Sequence, residues 1–124
     1  EEYIGTESEA LELTLKKYVS VHNLIEELNN IDESLVAYYS HNEVPFSKGD
    51  AFDLNDIQNQ KLYKKIAARI YKTRNSLVHY KSNEIRINER GIYQPFKNNQ
   101  ELLKEIPLMR CIAELIIIKT AKDI

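Results

Sequence analysis

Residues 57–80 read IQNQKLYKKIAARIYKTRNSLVHY, and this stretch decides the fold. Its apolar side chains recur every three or four residues, which is the period of an amphipathic α-helix and not of a strand. They form one narrow stripe toward a core: Leu62, Ile66, Ile70, Thr73 and Leu77. Asp53 and Asp56 offer an N-cap and a negative first turn just ahead of the stripe. We therefore predict the longest helix of the chain from about Ile57 to Tyr80.

A second, weaker stripe runs along the same helix beside the first. It consists of Ala67, Ala68, Tyr71, Asn75 and Val78. Small side chains in such a stripe allow another helix to approach closely. That helix is either a neighbour in the same bundle or, in a two-fold dimer, the same helix of a second copy.

The N-terminal half carries a second helical pattern. Thr6 followed by Glu9 is typical of a capping box, and apolar residues then recur at helical spacing. We expect this first helix to run to about Asn30. Residues 32–39 open a further helical piece, which either continues the first helix or bends away from it. Residues 41–53 show no sustained period and are predicted to form a loop.

The C-terminal third begins with a second break in the helical period. Residues 81–96 are predicted to form a loop, with a short hairpin that pairs residues 85–87 with residues 92–93. Asn98, with an acidic residue three positions later, is another capping-box signature and opens the last helical region. Pro107 either kinks that helix or begins a new one.

Length and composition fit one all-α domain. The chain has 124 residues with only three glycines and three prolines, which is enough to bury a single core. We predict an up-and-down bundle of four to five helices over residues 1–124, with the last and most apolar helix at its centre. The chain opens with Glu1, and its only methionine is Met109. We therefore interpret it as a domain excised from a longer protein.

The compartment is inferred from the cysteine and the apolar runs. The single Cys111 cannot form an internal disulfide, which favours a reducing, cytoplasmic setting. No stretch resembles a signal peptide, and the longest apolar run is far too short to cross a bilayer. We therefore expect no association with a membrane.

The charge is unevenly distributed along the chain. Residues 1–60 carry three basic and thirteen acidic side chains. Residues 61–90 reverse this balance, with nine basic side chains against Glu84 and Glu89. A basic segment in an acidic domain is either a footprint for nucleic acid or a solvated helix face that complements an acidic neighbour.

Several types of site are excluded by the residues present. The chain has no Gly-rich phosphate loop, no paired cysteines and no pair of histidines at metal-ligand spacing, so we expect no metal and no cofactor. His22 lies on the apolar face of the first helix and is interpreted as a core or rim histidine. His41 is expected to be exposed in its loop. Cys111 has no activating neighbour and is not expected to be a nucleophile.

One polar constellation remains, at the end of the longest predicted helix. Five helical steps from Arg74 to His79 give about 7.5 Å of rise and roughly 140° of rotation. The two side chains therefore flank Asn75 on one surface instead of both entering the core. A permanent cation beside a side chain that titrates near neutral pH suits phosphate chemistry.

An arginine, a polar residue and then a histidine at this spacing, at a helix end, resembles the motif of the HEPN superfamily of helical nucleases. The resemblance covers residues 71–80 in its motif and nearly the whole chain in its bundle. It implies a metal-independent endoribonuclease that acts as a homodimer with a composite Arg/His active site. Arg74 would then bind the scissile phosphate, His79 would act as general acid or base, and Asn75 would orient one of them.

The resemblance also suggests partners and a biological setting. The expected RNA contacts are Lys72, Tyr80, Lys81, Arg86 and Arg90, and the expected dimer contacts are Ala67, Ala68, Tyr71 and Val78. Nucleases of this superfamily serve as effectors of toxin–antitoxin, abortive-infection and other antiviral defence systems, beside an antitoxin or a sensor domain. One toxin branch is modified on a tyrosine two residues after the histidine. Here that position is Lys81, which argues against this form of regulation.

A second interpretation assigns no catalytic activity to the chain. Arg74 then pairs with an acidic residue of the first helix such as Glu26, and His79 caps the C-terminal end of its helix. The chain would be a non-catalytic HEPN-like module for dimerisation or interaction. A DNA-binding role is weaker, because the sequence lacks a helix-turn-helix signature.

Overall fold

The computed structural model describes the backbone of residues 2–82 and 95–122, and the side chains of residues 7–78 and 99–121. Within these ranges the backbone forms helices and loops without a strand, so the predicted all-α bundle is confirmed. The five helices of the described residues are α1 (Glu2–Tyr18), α2 (Val21–Ile31), α3 (Leu35–His41), α4 (Leu62–Ser82) and α5 (Pro95–Lys122).

The first predicted helix is in fact two helices. The chain leaves helical geometry after Tyr18, and Ser20 takes an extended conformation at φ −82° and ψ 133°. The backbone N–H of Asn23 donates a 3.4 Å hydrogen bond to the Ser20 hydroxyl, which makes Ser20 the N-cap of α2. The apolar period passes through this break unchanged, so the period alone did not reveal it.

The second predicted piece bends away from the first. Asp32 ends α2 in an extended conformation, and its carboxylate accepts hydrogen bonds from the Ser34 backbone N–H at 2.9 Å and hydroxyl at 2.7 Å. These bonds lower the pKa of Asp32. The turn that they stabilise starts α3 as a separate short helix.

The long helix α4 begins at Leu62 and not at Ile57 as predicted. The side chain of Asp53 accepts from the N–H of Asn55 at 3.0 Å, and the side chain of Asn59 accepts from that of Lys61 at 2.9 Å. Such local bonds hold the backbone in turns and compete with the first helical turn. The residues predicted to form an acidic first turn of the helix therefore form a series of turns ahead of it.

The core is formed mainly by α4 packing on α1 and by α5 packing on α2 and α1. Leu62, Ile66 and Thr73 of the predicted stripe are buried as expected. The last helix is less central than predicted. Leu108 enters the core, but Ile117 and its neighbours near the C-terminal end of α5 are exposed, because α1 and α2 pack on one side of α5 only.

Helices occupy both ends of the predicted loop at residues 81–96. Lys81 lies in the last turn of α4, and α5 begins at Pro95, a position that suits proline because the first helical N–H has no partner. The predicted hairpin falls in residues 83–94, outside the described residues. Pro107 neither ends α5 nor begins a new helix, since α5 continues through it to Lys122.

Candidate functional site

The motif predicted from sequence lies in one regular helix. Helix α4 continues from Arg74 through position 79 to Ser82, so the helical spacing assumed for the motif holds in the backbone. Position 79 follows Asn75 by one turn and Arg74 by about 7.5 Å. The side chains of His79, Tyr80 and Lys81 lie outside the described residues, as do Arg86 and Arg90 altogether. Their predicted roles stay predictions.

Arg74 is accessible to solvent. Its side chain is 61% exposed, and Nη1 lies 3.9 Å from Oε1 of Glu7 in α1, whose side chain is 55% exposed. An ion pair this long and this exposed contributes little stability. The second interpretation expected Arg74 to pair with an acidic residue of the first helix, and Glu7 of α1 is such a partner. Glu26, the example given, lies 3.3 Å from Nε2 of His22. The guanidinium of Arg74 is thus available to an anionic ligand.

Helix α1 covers the small-residue stripe of α4. Ala67 is fully buried in the core of its own chain. Tyr71 lies half-buried beside Glu7, and its pKa is raised by burial and by the negative charge of Glu7. Of the two alternatives for this stripe, the structure supports a neighbouring helix of the same bundle. The predicted dimer contact at Ala67 is therefore wrong, because no surface of that residue remains for a second copy.

A second arginine of α4 was not singled out from the sequence. Arg69 is fully buried and forms a bidentate ion pair with the buried Glu105 of α5, with Nε to Oε1 at 2.8 Å and Nη2 to Oε2 at 2.7 Å. Its Nη1 donates to the backbone carbonyls of Asn42 at 2.6 Å and Asp50 at 3.0 Å. Each of the three guanidinium nitrogens of Arg69 has a hydrogen-bond partner within the fold, and the side chain is fully buried, so its role is structural.

Aromatic rings surround this buried ion pair. The Arg69 guanidinium lies 5.1 Å from the ring centroid of Tyr39 and 5.5 Å from that of Phe52, and these two rings stack on each other. The Tyr39 hydroxyl donates a 2.7 Å hydrogen bond to the carbonyl of Lys104. Burial, followed by the charge of Glu105, raises the pKa of Tyr39 well above its usual value. The ion pair is thereby held in a site that is closed to solvent, with side-chain exposures of 0% for Arg69 and 1% for Glu105.

The position of Arg69 in the sequence weakly indicates that its side chain is buried. It lies three residues after Ile66 and four before Thr73, both of which are buried, so it belongs to the inward side of α4. Glu105 likewise precedes the buried Leu108 by three residues. Two opposite charges on inward faces predict a buried pair, whereas a charge considered alone predicts exposure.

Exposed lysines line another side of α4. Lys65 and Lys72 are seven residues apart, so they share one helix face, and both are exposed. Lys72 also donates a weak 3.4 Å hydrogen bond to the carbonyl of Lys48. By helical rotation, Asn75 lies between this lysine face and Arg74. The described part of α4 thus presents a basic surface that leads to the motif.

The other candidate residues offer no competing site. His22 is exposed on the rim of the bundle and not in its core. His41 is exposed as expected, but it is the last residue of α3 and not part of a loop, and its Nδ1 lies 2.9 Å from the carbonyl of Ala37. Cys111 is buried, and burial raises its pKa, which disfavours the nucleophilic thiolate. Across residues 7–78 and 99–121, no cluster of His, Cys, Asp and Glu is arranged to hold a metal ion. No helix in the described ranges is both long enough and apolar enough to span a membrane.

Comparison with known proteins identifies no family for this chain. No protein-family model and no solved structure matches it. The cytoadherence-linked asexual protein 3.1 of Plasmodium falciparum is 29% identical to it over 93 residues. That match covers 74% of this chain but 6% of the Plasmodium protein. The likeness therefore concerns a small segment of a much longer molecule.

Proposed function

We propose that this chain is a metal-independent endoribonuclease whose active site is formed by Arg74, Asn75 and His79. The accessibility of Arg74 carries the proposal. Of the two arginines in the described part of α4, Arg69 is fully buried and paired with Glu105, whereas Arg74 is mostly exposed and weakly paired. An exposed guanidinium next to Asn75, one turn ahead of a histidine position, suits the recognition of a phosphodiester.

The proposed reaction is transesterification of an RNA phosphodiester. The 2′-hydroxyl loses its proton to a general base, its oxygen attacks the adjacent phosphorus, and the bond from phosphorus to the 5′-oxygen breaks. A general acid protonates the departing 5′-oxygen, which leaves a 2′,3′-cyclic phosphate. Arg74 stabilises the negative charge that develops on the phosphorus oxygens, and His79 transfers the protons.

We also propose that the active unit is a homodimer with a composite site. A single imidazole serves poorly as base and acid in the same step, whereas two protomers supply one histidine for each role. Because α1 covers Ala67, we place the second copy near the C-terminal end of α4, where Val78 is 44% exposed. Its biological setting would be the effector of a cytoplasmic toxin–antitoxin or antiviral defence system.

RNA cleavage in the presence of EDTA tests the proposal. The unmodified chain should produce fragments with 2′,3′-cyclic phosphate ends, and Arg74→Ala or His79→Ala should reduce the rate at least a hundredfold, as expected for removal of a charge-stabilising or proton-transferring group. Lys16→Ala and His22→Ala are matched controls, since each removes an exposed, carboxylate-paired cation or imidazole on another helix. Circular dichroism should show unchanged helicity for all four variants.

Four outcomes would contradict the ribonuclease proposal. Loss of cleavage in EDTA would exclude the metal-independent mechanism. Equal cleavage rates for Arg74→Ala and Lys16→Ala would exclude a catalytic role for Arg74. Equal cleavage rates for His79→Ala and His22→Ala would exclude a catalytic role for His79. No cleavage of any RNA by the folded chain would favour the non-catalytic interaction module instead.

A further inference from the structure

An open cavity lies between α2, α3 and the loop that follows α3, among residues that the ribonuclease proposal does not use. It encloses about 500 Å³, which is within the range of small-molecule binding sites. The residues that line it come from α2, from the turn ahead of α3, from α3 itself and from the loop. We call it the α2–α3 cavity.

The floor of the α2–α3 cavity is aliphatic. Ile25 of α2 and Val36 of α3 both line the cavity, and both are partly buried because they also pack against the hydrophobic core. Ala37 lies beside Val36, lines the cavity as well and has the smallest side chain of the three. A ligand that lies along this floor therefore needs an apolar segment.

The rim of the α2–α3 cavity is acidic. Glu33 lies in the turn ahead of α3 and Asp53 in the loop after it, and both side chains are exposed. Oδ1 of Asp53 accepts a 3.0 Å hydrogen bond from the backbone N–H of Asn55, which orients the carboxylate. No lysine or arginine is among the described residues that line the cavity, so its rim carries negative charge.

Two neutral side chains of the rim add further acceptors. Nδ1 of His41 lies 2.9 Å from the carbonyl oxygen of Ala37, which can only accept, so a neutral His41 donates from Nδ1 and keeps Nε2 as an acceptor. The Ser40 hydroxyl donates to the same carbonyl at 2.9 Å, which leaves its oxygen as an acceptor. These groups suit a ligand that donates hydrogen bonds and carries positive charge.

The two carboxylates lie toward opposite ends of α3. Glu33 is two residues ahead of Leu35, the first residue of the helix. Asp53 follows Phe52, whose backbone N–H donates to the carbonyl of Tyr39 near the C-terminal end of α3. Because α3 has seven residues, it is about 10 Å long. The aliphatic residues of α3 lie between the two carboxylates, so the arrangement favours an elongated ligand over a compact cation.

We propose that the α2–α3 cavity binds a linear aliphatic di- or polyamine, with one ammonium group at Glu33, another at Asp53 and the methylene chain on the aliphatic floor. Each ammonium group donates hydrogen bonds to a carboxylate, and the one at Asp53 also donates to His41 or Ser40. The methylene chain removes the floor from water. Charge, hydrogen bonding and the apolar segment are thus matched by one class of ligand.

Isothermal titration calorimetry of the whole chain with amines of different length tests the proposal. 1,7-Diaminoheptane can reach both carboxylates and should bind about fivefold more tightly than heptylamine, which offers one ammonium group, as expected for one further exposed ion pair. It should exceed 1,3-diaminopropane, which has the same charge but is too short, by a similar factor. Equal affinities for the two diamines would overturn the proposal, as would a lack of binding, because charge alone would then explain any attraction.

Glu33→Gln and Asp53→Asn test the two ends of the α2–α3 cavity. Each removes one charge but keeps the shape of the side chain, and an amide oxygen at position 53 can still accept the hydrogen bond from the backbone N–H of Asn55. Each should weaken the binding of 1,7-diaminoheptane about fivefold. Glu43→Gln is the matched control, because it removes an exposed carboxylate that does not line the cavity. An equal loss in this control would overturn the proposal.

Ala37→Leu tests the cavity without a change of charge. The larger side chain occupies part of the cavity, so 1,7-diaminoheptane should lose most of its affinity, while circular dichroism should show unchanged helicity because leucine is a good helix former. Unchanged affinity would overturn the proposal. Trilysine presents ammonium groups on a bulky backbone and should bind more weakly than the diamine, whereas tighter binding would assign the cavity to a basic peptide. No RNA enters these measurements, so they are independent of the ribonuclease proposal.

Discussion

Arg69 of α4 and Glu105 of α5 form a bidentate ion pair, at 2.8 and 2.7 Å, in the interior of the bundle. The pair joins two helices that otherwise pack mainly against α1 and α2. It also fixes the loop between α3 and α4, because the same guanidinium binds the carbonyls of Asn42 and Asp50. One side chain thus sets the positions of three parts of the fold.

Breaking this pair should be severely destabilising. Arg69→Met or Glu105→Leu leaves the charge of the other residue unpaired in the core, and we expect each to lower the free energy of unfolding by about 3–5 kcal/mol. The double variant Arg69→Met/Glu105→Leu should lose much less than the sum of the two losses. Urea denaturation of the three variants measures this coupling. Strictly additive losses would show that the two residues act independently.

A side chain at position 49, in the loop between α3 and α4, should displace Arg69. A Cβ atom at position 49 would lie 3.0 Å from Cγ and 3.3 Å from Cα of Arg69, and 3.3 Å from Cγ2 of Val44. We expect Gly49→Ala to cost about 1–3 kcal/mol, since part of the contact is with the backbone of α4 and cannot move away easily.

Lys48→Gly is the control for that loop variant. Lys48 has a φ of 65°, which glycine adopts without strain, so this change should leave stability within about 1 kcal/mol or raise it. Thermal unfolding of both variants gives the comparison. Equal losses for the two would mean that the loop is sensitive to any substitution, and that packing against Arg69 is not the cause.

Arg74 should contribute almost nothing to stability, in contrast to Arg69. Its ion pair with Glu7 is 3.9 Å long, and both side chains are more than half exposed. We expect Arg74→Ala and Glu7→Gln each to change the free energy of unfolding by less than about 0.5 kcal/mol. Urea denaturation tests this, and a loss above about 2 kcal/mol would assign Arg74 a structural role.

The regular parts of the fold could be predicted from helical periodicity. The inward stripe of Leu62 and Ile66 follows from spacing, whereas the sequence left open whether the α3 segment continues the preceding helix or bends away from it. The break at Ser20 could not be predicted this way, because a single capping hydrogen bond interrupts an apolar period that continues on both sides. Periodicity shows which face is apolar, whereas local hydrogen bonds decide where the chain changes direction.

The candidate site was predicted only in part. The exposure of Arg74 follows from its place at the border of the apolar stripe. The burial of Arg69 does not, since a charged residue enters a core only when a distant partner such as Glu105 meets it there. The last helix was predicted at the centre of the bundle, yet its Ile118 is exposed, because apolarity alone does not show which side chains of a helix are covered by its neighbours.

Tyr39 should make the protein sensitive to alkali. Its pKa lies near 10 when it is solvent-exposed and is raised in the fold by burial and by Glu105. Above about pH 10 the unfolded chain loses this proton while the folded chain keeps it, so stability is full below that pH and falls as the pH rises. One such group contributes a slope of about 1.4 kcal/mol per pH unit.

Tyr39→Phe separates this contribution from other alkaline effects. The variant should be less stable at neutral pH by about 1 kcal/mol, because the hydrogen bond to the Lys104 carbonyl is lost. It should also lose stability less steeply between pH 10 and pH 11 than the unmodified chain, as measured by urea denaturation at each pH. Tyr63, whose pKa is also raised by burial, should account for part of the remaining slope. Identical slopes in both proteins would contradict the assignment to Tyr39.

The lysine face of α4 should determine the salt dependence of RNA binding, if the proposed function is correct. Lys65 and Lys72 are exposed on the face that leads to Asn75. Each phosphate contact adds about 0.7 to the slope of log affinity against log salt concentration for a single strand. Lys65→Ala/Lys72→Ala should therefore reduce the slope by roughly 1.4.

The double variant Lys16→Ala/Lys119→Ala, which removes two exposed lysines from α1 and α5, should leave the slope unchanged and is the control. Filter binding of a single-stranded RNA to the Arg74→Ala background, in which cleavage is expected to be lost, gives the slopes. Equal reductions in both double variants would show that the RNA responds to net charge and not to this face of α4.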